Sequence, residues 1–335
     1  MNILVTSAYQ CSDTVAFFKD ALGKNGKVFA SNSVMVSALA KADDYTITPL
    51  IADESYIDFL LDYCKTNSIN TIITRHDLDL LVLSKNKELF KKNGITVIAS
   101  DEQVIKTCND KWRAHQLLVS IGLKQPKTYI DMELLKRDLQ SGAVSFPLIM
   151  KPRWGVSSYS IFQIDELDEL DILYRKTHRN IFKTYLKHES AEAQDRCIIV
   201  QEKIDGDEFG LDILNDLQGN YVAAIAKKKL EMRVNTMTAE IVDSKPFESF
   251  AKTISANLKH TFNLDVDCFL TDSGDIYVID LNCRFGGQYL FSHSAGANFP
   301  KQIIDWLAGL PTSVENLRAE TGFRGDRDDS HIVRY

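Results

Sequence analysis

The sequence predicts an α/β protein in two parts, a doubly wound parallel sheet followed by a larger region of α+β character, and three observations carry that expectation. Short apolar runs alternate with amphipathic stretches up to about residue 108, a helical segment with a stop signal follows, and longer alternating runs with hairpin signals begin near residue 146. In the first part Ile3 to Thr6, Val28 to Ala30, Thr71 to Thr74 and Thr96 to Ala99 read as buried strands, with 13–24, 54–67 and 78–92 as helices between them. Strands alternating with helices imply a parallel, Rossmann-like sheet. Its first strand-to-helix turn, Ser7-Ala-Tyr-Gln-Cys-Ser12, has no GxGxxG, so nothing there lets backbone approach a pyrophosphate closely.

Segment 110–121 reads as a helix ending at Gly122, with Pro126 beyond it. After it, Phe146 to Lys151, Cys197 to Glu202, Glu208 to Leu214, Tyr221 to Ala226 and a hairpin near residue 273 are expected to form a second sheet, with helices near 165–186, 246–262 and 299–309. The residues from 312 to 335 are polar and are expected to be loosely held.

Composition excludes several classes. A chain of 335 residues with 44% hydrophobic and 25% charged residues is ordinary for a globular protein, and a formal charge of −7 argues against a general nucleic-acid surface. The six cysteines are scattered, with no CxxC and no Cys/His cluster, so neither a zinc site nor a disulfide framework is expected. Reduced thiols, the absence of a leader-like start and the absence of a membrane-length apolar run give a cytoplasmic expectation with no membrane partner.

The most informative stretch is Asp265 to Arg284. Two alternating apolar runs flank Asp272-Ser273-Gly274-Asp275, which reads as a β-hairpin. A loop centred on Ser273 and Gly274 puts Asp267 directly opposite Asp280 on one face, with Cβ atoms roughly 5 Å apart. Asn282 and Arg284 follow on that face at period two, together with Phe269, Ile276 and Val278. Like charges opposite each other destabilise a sheet, so a cation is expected, and two carboxylates with an amide oxygen suit Mg²⁺. A solvated hairpin is the alternative.

Three further constellations surround it. Phe146 to Tyr159 is a strand that delivers Lys151 to a loop of one glycine and serines, among them Ser157 and Ser158, suited to phosphate oxygens; a surface loop is the plain reading. Val200 to Asp212 places Glu202 and Glu208 around a turn at Gly206, where a strand edge can read a base and a carboxylate can accept ribose hydroxyls. Lys227 to Arg233 is a basic run without the interleaved aromatics of a single-strand binder, so it reads as a solvated strand end or a basic wall for a triphosphate or carboxylate.

In order, Asp110-Lys111, FPLIMKPRWGVSS, VQEKIDGDEFGLD, KKKLEMR and VDCFL…YVIDLNCRFGG resemble the ATP-grasp superfamily, and most closely the ligases of the carbamoyl-phosphate-synthase pattern, over nearly the whole chain. The resemblance implies a preliminary α/β domain at 1–108, a small lid subdomain at 109–195 with a flap at 153–158, a second subdomain at 196–311 with the metal site, and a tail at 312–335. It implies that Lys111, Lys151, Ser157 and Ser158 meet ATP phosphates, that Glu202 and Ile204 bracket adenine, and that Glu208 binds ribose. Asp267, Asp280 and Asn282 match the ligands of Mg²⁺, with Mn²⁺ as an alternative. Arg284, Lys151 and Arg233 are the implied catalytic residues. The chain has Asp280 where the family has Glu, Cys283 where it has Pro, and Asn235-Thr236 where it has Gly-Glu.

The activity so implied is an ADP-forming ligase that joins a carboxylate to an amine through an acyl phosphate, acting on small molecules, with a homodimer left open. The rivals are a carboxylase or carbamoyl-phosphate type that phosphorylates bicarbonate and a non-catalytic nucleotide binder. Arg75 and His76, at the carboxyl end of a parallel strand, and His293, downstream of the metal strand, are substrate-side candidates.

Overall fold

A computed structural model describes residues 1–155, 159–184, 186–232 and 236–327. The first unit is a parallel sheet of β1 (Asn2–Thr6), β2 (Lys27–Asn32), β3 (Asp44–Ile47), β4 (Thr71–Thr74) and β5 (Thr96–Ile98), ordered β3-β2-β1-β4-β5. Ile3 and Val5 enter one apolar layer and Leu4 the other, as alternation along a strand requires. The strand order reverses between β1 and β4, so a crevice opens at their carboxyl ends, where Ser7, Arg75 and Asp77 lie. Sequence patterning misses β3 because this edge strand is mostly exposed and carries no apolar run. The expected helix 78–92 is two, Asp77–Lys85 and Lys87–Lys92, divided at Asn86.

The single second sheet expected for the remainder is two sheets. The strands β6 (Thr128–Tyr129), β7 (Leu148–Pro152), β8 (Phe162–Ile164) and β9 (Ile198–Glu202) form an antiparallel sheet ordered β6-β9-β7-β8, with its own core of Leu148, Met150, Ile164 and Val200 under the helices Met132–Gln140 and Leu167–Phe182. The strands β10 (Asp207–Asn215), β11 (Tyr221–Met232), β12 (Thr236–Val242), β13 (Phe262–Leu270), β14 (Ile276–Asn282) and β15 (Arg324–Asp326) form the other, ordered β14-β13-β10-β11-β12-β15. The chain passes between them at 203–206. There Gly206 lies so close to β13 that a Cβ would stand 2.6 Å from the Leu270 carbonyl oxygen. The expectation of a loosely held tail fails up to Arg327, because β15 pairs with β12 and the Thr238 hydroxyl donates to Asp326 at 2.7 Å. Residues 328–335 lie outside the described residues.

The six-stranded sheet has two unlike faces. Phe209, Leu211, Ile213, Leu264, Val266 and Cys268 pack on Phe247, Phe250 and Ile254 of the helix Lys245–Leu258, and the same apolar layer continues to Leu4 and Ile72 of the first unit. The alternate residues Glu208, Gly210, Asp212, Asp265 and Asp267 occupy the opposite face. Among the described residues no helix is long and apolar enough to cross a membrane.

One buried carboxylate fixes the first unit's contribution to that face. Asp79 is fully buried and accepts from Thr6 Oγ1 at 2.6 Å, Ser7 Oγ at 2.8 Å and Tyr56 OH at 2.9 Å. Residues two apart in a helix point to nearly opposite sides, so anchoring Asp79 inward turns Asp77 outward, where it meets Arg284. The substitution Asp79→Ala leaves three hydroxyl donors without this acceptor and is expected to lower unfolding free energy by about 3 kcal/mol. Urea denaturation checks this, and an unchanged midpoint and slope would contradict it.

Candidate active site

The polar face is built on the hairpin of β13 and β14. Asp267 pairs with Asp280 and Asp265 with Asn282, in the register the sequence predicts. The turn differs from the one expected. It spans 271–275, closed by Gly274 N donating to Thr271 O at 2.9 Å and Thr271 N to Asp275 O at 3.0 Å, and a bulge at Ile279 restores the register of the acids. Val278 therefore pairs with Cys268 and Ile276 with Leu270, on the core side rather than beside Asp267 as expected.

Two like charges directly opposite each other need positive partners, and the fold brings one from each side. From β11, Lys229 Nζ contacts Asp267 Oδ1 at 2.6 Å and Glu208 Oε1 at 2.7 Å, with only 3% of its side chain exposed. Burial opposes the charge on Lys229, but the two carboxylates outweigh it and raise its pKa; Asp267 is held low, against its own burial, by the Lys229 ammonium and by the hydrogen bond from Gln288. From the helix Lys111–Ser120, Lys111 Nζ stands 3.0 Å from Asp280 Oδ1 and donates to the Gly155 carbonyl at 2.9 Å. The strand pattern explains the basic run: Lys227 and Lys229 point inward at period two, while Lys228 pairs with Asp207 near the surface.

Lys151 crosses from the four-stranded sheet and donates to the Ile279 carbonyl at 3.2 Å. Burial, and secondarily Lys111, push its pKa down to about 8, against pulls from Asp280 and Asp267. The loop after it is tied to the start of the Lys111 helix. Asp110 caps that helix and receives Arg153 Nε and Nη2, each at 2.7 Å, while Lys111 N donates to Arg153 O at 3.2 Å. Such a two-point guanidinium contact fixes orientation as well as charge.

Arg284 is enclosed by acids. Its Nε donates to Asp77 Oδ1 at 2.9 Å, Nη1 to Asp265 Oδ2 at 3.4 Å and Nη2 to Asn282 Oδ1 at 3.3 Å. Gln288 Nε2 donates to Asp267 at 3.0 Å and also to Asp265, bridging the two carboxylates. Both contacts depend on glycine: a Cβ at Gly210 would stand 1.6 Å from Gln288 Oε1, and one at Gly286 would stand 2.2 Å from the Asp265 carboxyl. Burial, then the Asp267 charge, push Asp265 well above the usual carboxylate range. Beneath it, Lys227, Asp212 and Ser292 form a fully buried network in which Ser292 Oγ donates to Asp212 at 2.6 Å.

The structure therefore brings together Lys111, Lys151, Glu208, Asp267, Asp280, Asn282 and Arg284. Glu202, at the end of β9, and Ile204 border the crossing between the two sheets, where Glu202 N donates to Lys127 O at 3.0 Å. Arg75 donates to the Phe285 carbonyl, next to Arg284. His76 stands at the start of the helix Asp77–Lys85. His293 stacks on Phe17 of the first unit at 3.8 Å, and its described contacts do not reach the carboxylate face. Ser157, Ser158 and Arg233 lie outside the described residues. Sequence reasoning misses Asp77, Lys229, Asp265 and Gln288; the period-two spacing of Lys229 with Lys227 and of Asp265 with Asp267 was the available signal for two of them.

These side chains fit a hard divalent cation. Asp267 and Asp280 oppose each other, each engaging a lysine through Oδ1, and among the described residues nothing donates to either Oδ2. Asn282 adds an amide oxygen. Among the described residues no group of three acids, histidines or cysteines could hold a metal by itself; Mg²⁺ does not require one, because it keeps several waters and takes one or two carboxylates plus substrate phosphates.

This topology and face define an ATP-grasp arrangement. Residues 3–98, which span β1 to β5, match the PylC-like N-terminal domain, and residues 144–291, which span β7 to β14, match the ATP-grasp domain. The chain carries an ATP-grasp domain behind a PylC-like N-terminal domain, as the ordered motifs lead one to expect. It is 23% identical over 250 residues to the vancomycin/teicoplanin A-type resistance protein VanA of Enterococcus faecium, covering 68% of this chain and 66% of that protein. It is 23% identical over 240 residues to the carbamoyl phosphate synthase large chain of Thermoanaerobacter sp., covering 65% of this chain and 20% of that protein. The matched region thus spans from a fifth to just under two thirds of these relatives. The fold is shared with the L-amino acid ligase of Bacillus licheniformis (TM-score 0.71, 18% identity, 95% of this chain and 77% of that one). It is also shared with the biotin carboxylase domain of the Hydrogenobacter thermophilus 2-oxoglutarate carboxylase (TM-score 0.73, 16% identity, 95% and 72%).

Proposed function

We propose that this protein is an ATP-dependent, ADP-forming ligase that joins a small carboxylic acid to an amine through an acyl phosphate. The observation that carries the reading is the pairing of Asp267 with Asp280 on one strand pair, faced by Lys111 and Lys151 from the other side and flanked by Arg284. A binding protein would have no need of an arginine held by Asp77 and Asp265 at the end of the metal strand. The proposed units are a preliminary domain over 1–108, a lid subdomain over 109–195 and a metal-bearing subdomain over 196–311. Six free, buried cysteines fit a reducing, cytoplasmic setting.

In the first step a carboxylate oxygen attacks the γ-phosphorus of ATP, the bond to the β-phosphate bridging oxygen breaks, and ADP leaves. Lys111 and Lys151 would hold the phosphates in line, Glu202 and Ile204 would border the adenine, and Glu208 would accept from the ribose hydroxyls. Asp267, Asp280 and Asn282 would hold Mg²⁺, or Mn²⁺ in its place, which would supply charge neutralisation to the phosphates. Arg284 counters the charge that builds on the transferring group, in an orientation set beforehand by Asp77, Asp265 and Asn282. In the second step the amine attacks the acyl carbon, the carbon–oxygen bond to phosphate breaks, and inorganic phosphate and a proton leave with the amide.

ADP release from Mg-ATP with pooled amino acids and small carboxylates, followed by mass spectrometry, tests this. We expect pool-dependent release, a product one water lighter than acid plus amine, and loss of both in Asp280→Asn. Release stimulated by bicarbonate alone would point to the carboxylase type, and tight ATP binding without stimulated release in any pool would contradict catalysis. A second expectation follows from Lys151. A bound phosphate stabilises its protonated form, so above about pH 8 binding must take up a proton and ATP affinity falls as pH rises. Calorimetric titration across that range checks it, with Lys151→Met weaker throughout and flat above pH 8; an equal slope in the variant would assign the dependence to another group.

A further inference from the structure

Beside Arg284 lies a second basic feature that the proposed chemistry leaves unused. Arg284 donates from Nη1 to the Phe285 carbonyl at 3.4 Å, and Arg75 donates from Nε to the same oxygen at 3.2 Å, so the two guanidinium groups are neighbours. Arg75 is locked, because its Nη1 also donates to Asp13 at 2.7 Å and to Thr14 Oγ1 at 2.9 Å. Its remaining Nη2 converges with Nη2 of Arg327 on Gly287. The two nitrogens stand 3.7 and 3.6 Å from the point a Cβ would occupy there, so both guanidinium groups reach the same side of the Gly287 backbone.

Arg327 arrives from the other end of the chain. Its backbone N donates to the Met237 carbonyl at 2.7 Å, which fixes it at the end of β15, and its Nη2 donates to Gly287 O. Its Nε is buried and has no partner among the described residues. Asp13 matches the charge of Arg75, whereas no described carboxylate pairs with Arg327. A buried guanidinium N–H without an acceptor is costly, and a positive charge with no carboxylate partner among the described residues suits a monoanion with two oxygens in a plane.

We propose that Arg75 and Arg327 form a carboxylate-binding subsite beside Arg284, which holds an acid group that does not react. The inference rests on the ligase reading and deepens it: one of the two substrates carries a second carboxylate. That group is either the α-carboxylate of an amino acid serving as the amine or the far carboxylate of a dicarboxylic acid serving as the acyl donor.

The test pairs each free acid in the pools with its carboxamide, using Mg-ATP and the full chain. In the wild type the spare carboxylate lowers KM about 100-fold relative to the carboxamide, as a charged hydrogen-bonded contact does. In Arg327→Gln the KM of the free acid rises by the same factor while the KM for ATP stays unchanged, and Arg327→Lys recovers part of the loss. Whether amino-acid amides or dicarboxylate monoamides show the penalty identifies the source. Should no pool release ADP, the ligase reading fails, and the subsite is read instead from thermal unfolding with L-glutamate or succinate. Stabilisation of the wild type but not of Arg327→Gln then supports it. A carboxamide as good as its acid, an unchanged KM in Arg327→Gln, or stabilisation that is absent or equal in both proteins overturns it. Circular dichroism confirms that Arg327→Gln is folded; if it is not, Arg327→Lys, which keeps the charge and loses the planar fork, is read in the same ways.

Discussion

Placing Asp267 directly opposite Asp280 is the constraint around which the rest of the site is arranged. Two carboxylates on adjacent strands repel each other at a separation fixed by the sheet, and the hairpin does not relieve this by register, because its bulge at Ile279 restores the pairing after the turn. Positive charge comes from three separate segments. Lys229 reaches over the one intervening strand, β10, from β11, Lys111 stands at the start of a helix that follows the first unit, and Lys151 crosses from the other antiparallel sheet. The site therefore forms only when all of these elements are folded together. The apolar layer shared by Leu4, Ile72, Leu264 and Val266 is what brings the first unit against the six-stranded sheet.

A second tier of contacts sets orientation. Asp79 anchors one helix so that Asp77 meets Arg284, and Asp110 holds Arg153 so that the loop after Lys151 stays beside Lys111. Gly210 and Gly286 admit Gln288 and Asp265 where any side chain would collide. These contacts involve few residues but bring groups far apart in sequence together, as the separation of Asp77 and Arg284 shows. Pre-set orientation of this kind is what makes charge stabilisation effective during a reaction, because the groups need not move as charge builds.

Much of this was legible in the chain. Alternation gave four of the five parallel strands, and the symmetry of the hairpin gave the facing acids, because strand pairing follows directly from a short turn. The order of motifs gave the ATP-grasp arrangement. What escaped depended on tertiary placement. β3 carries no apolar pattern, and the division into two antiparallel sheets depends on which strands pair across long stretches of chain, which strand patterns alone do not give. The core-side position of Val278 required a bulge that no local signal announces. Arg327 lay in a stretch that reads as a polar tail, and His293, attractive for its place in the chain, stacks on Phe17 instead.

In the proposed reaction the facing acids serve a divalent cation together with ATP. A titration of Mn²⁺ into protein and ATP, followed by water-proton relaxation, tests it most directly, with Asp267→Asn as the comparison. We expect a large enhancement in the wild type, requiring both ATP and protein, that falls in the variant to that of Mn²⁺ with ATP alone. An enhancement of equal size in both proteins would contradict it, and the facing acids would then have only a structural part in this fold.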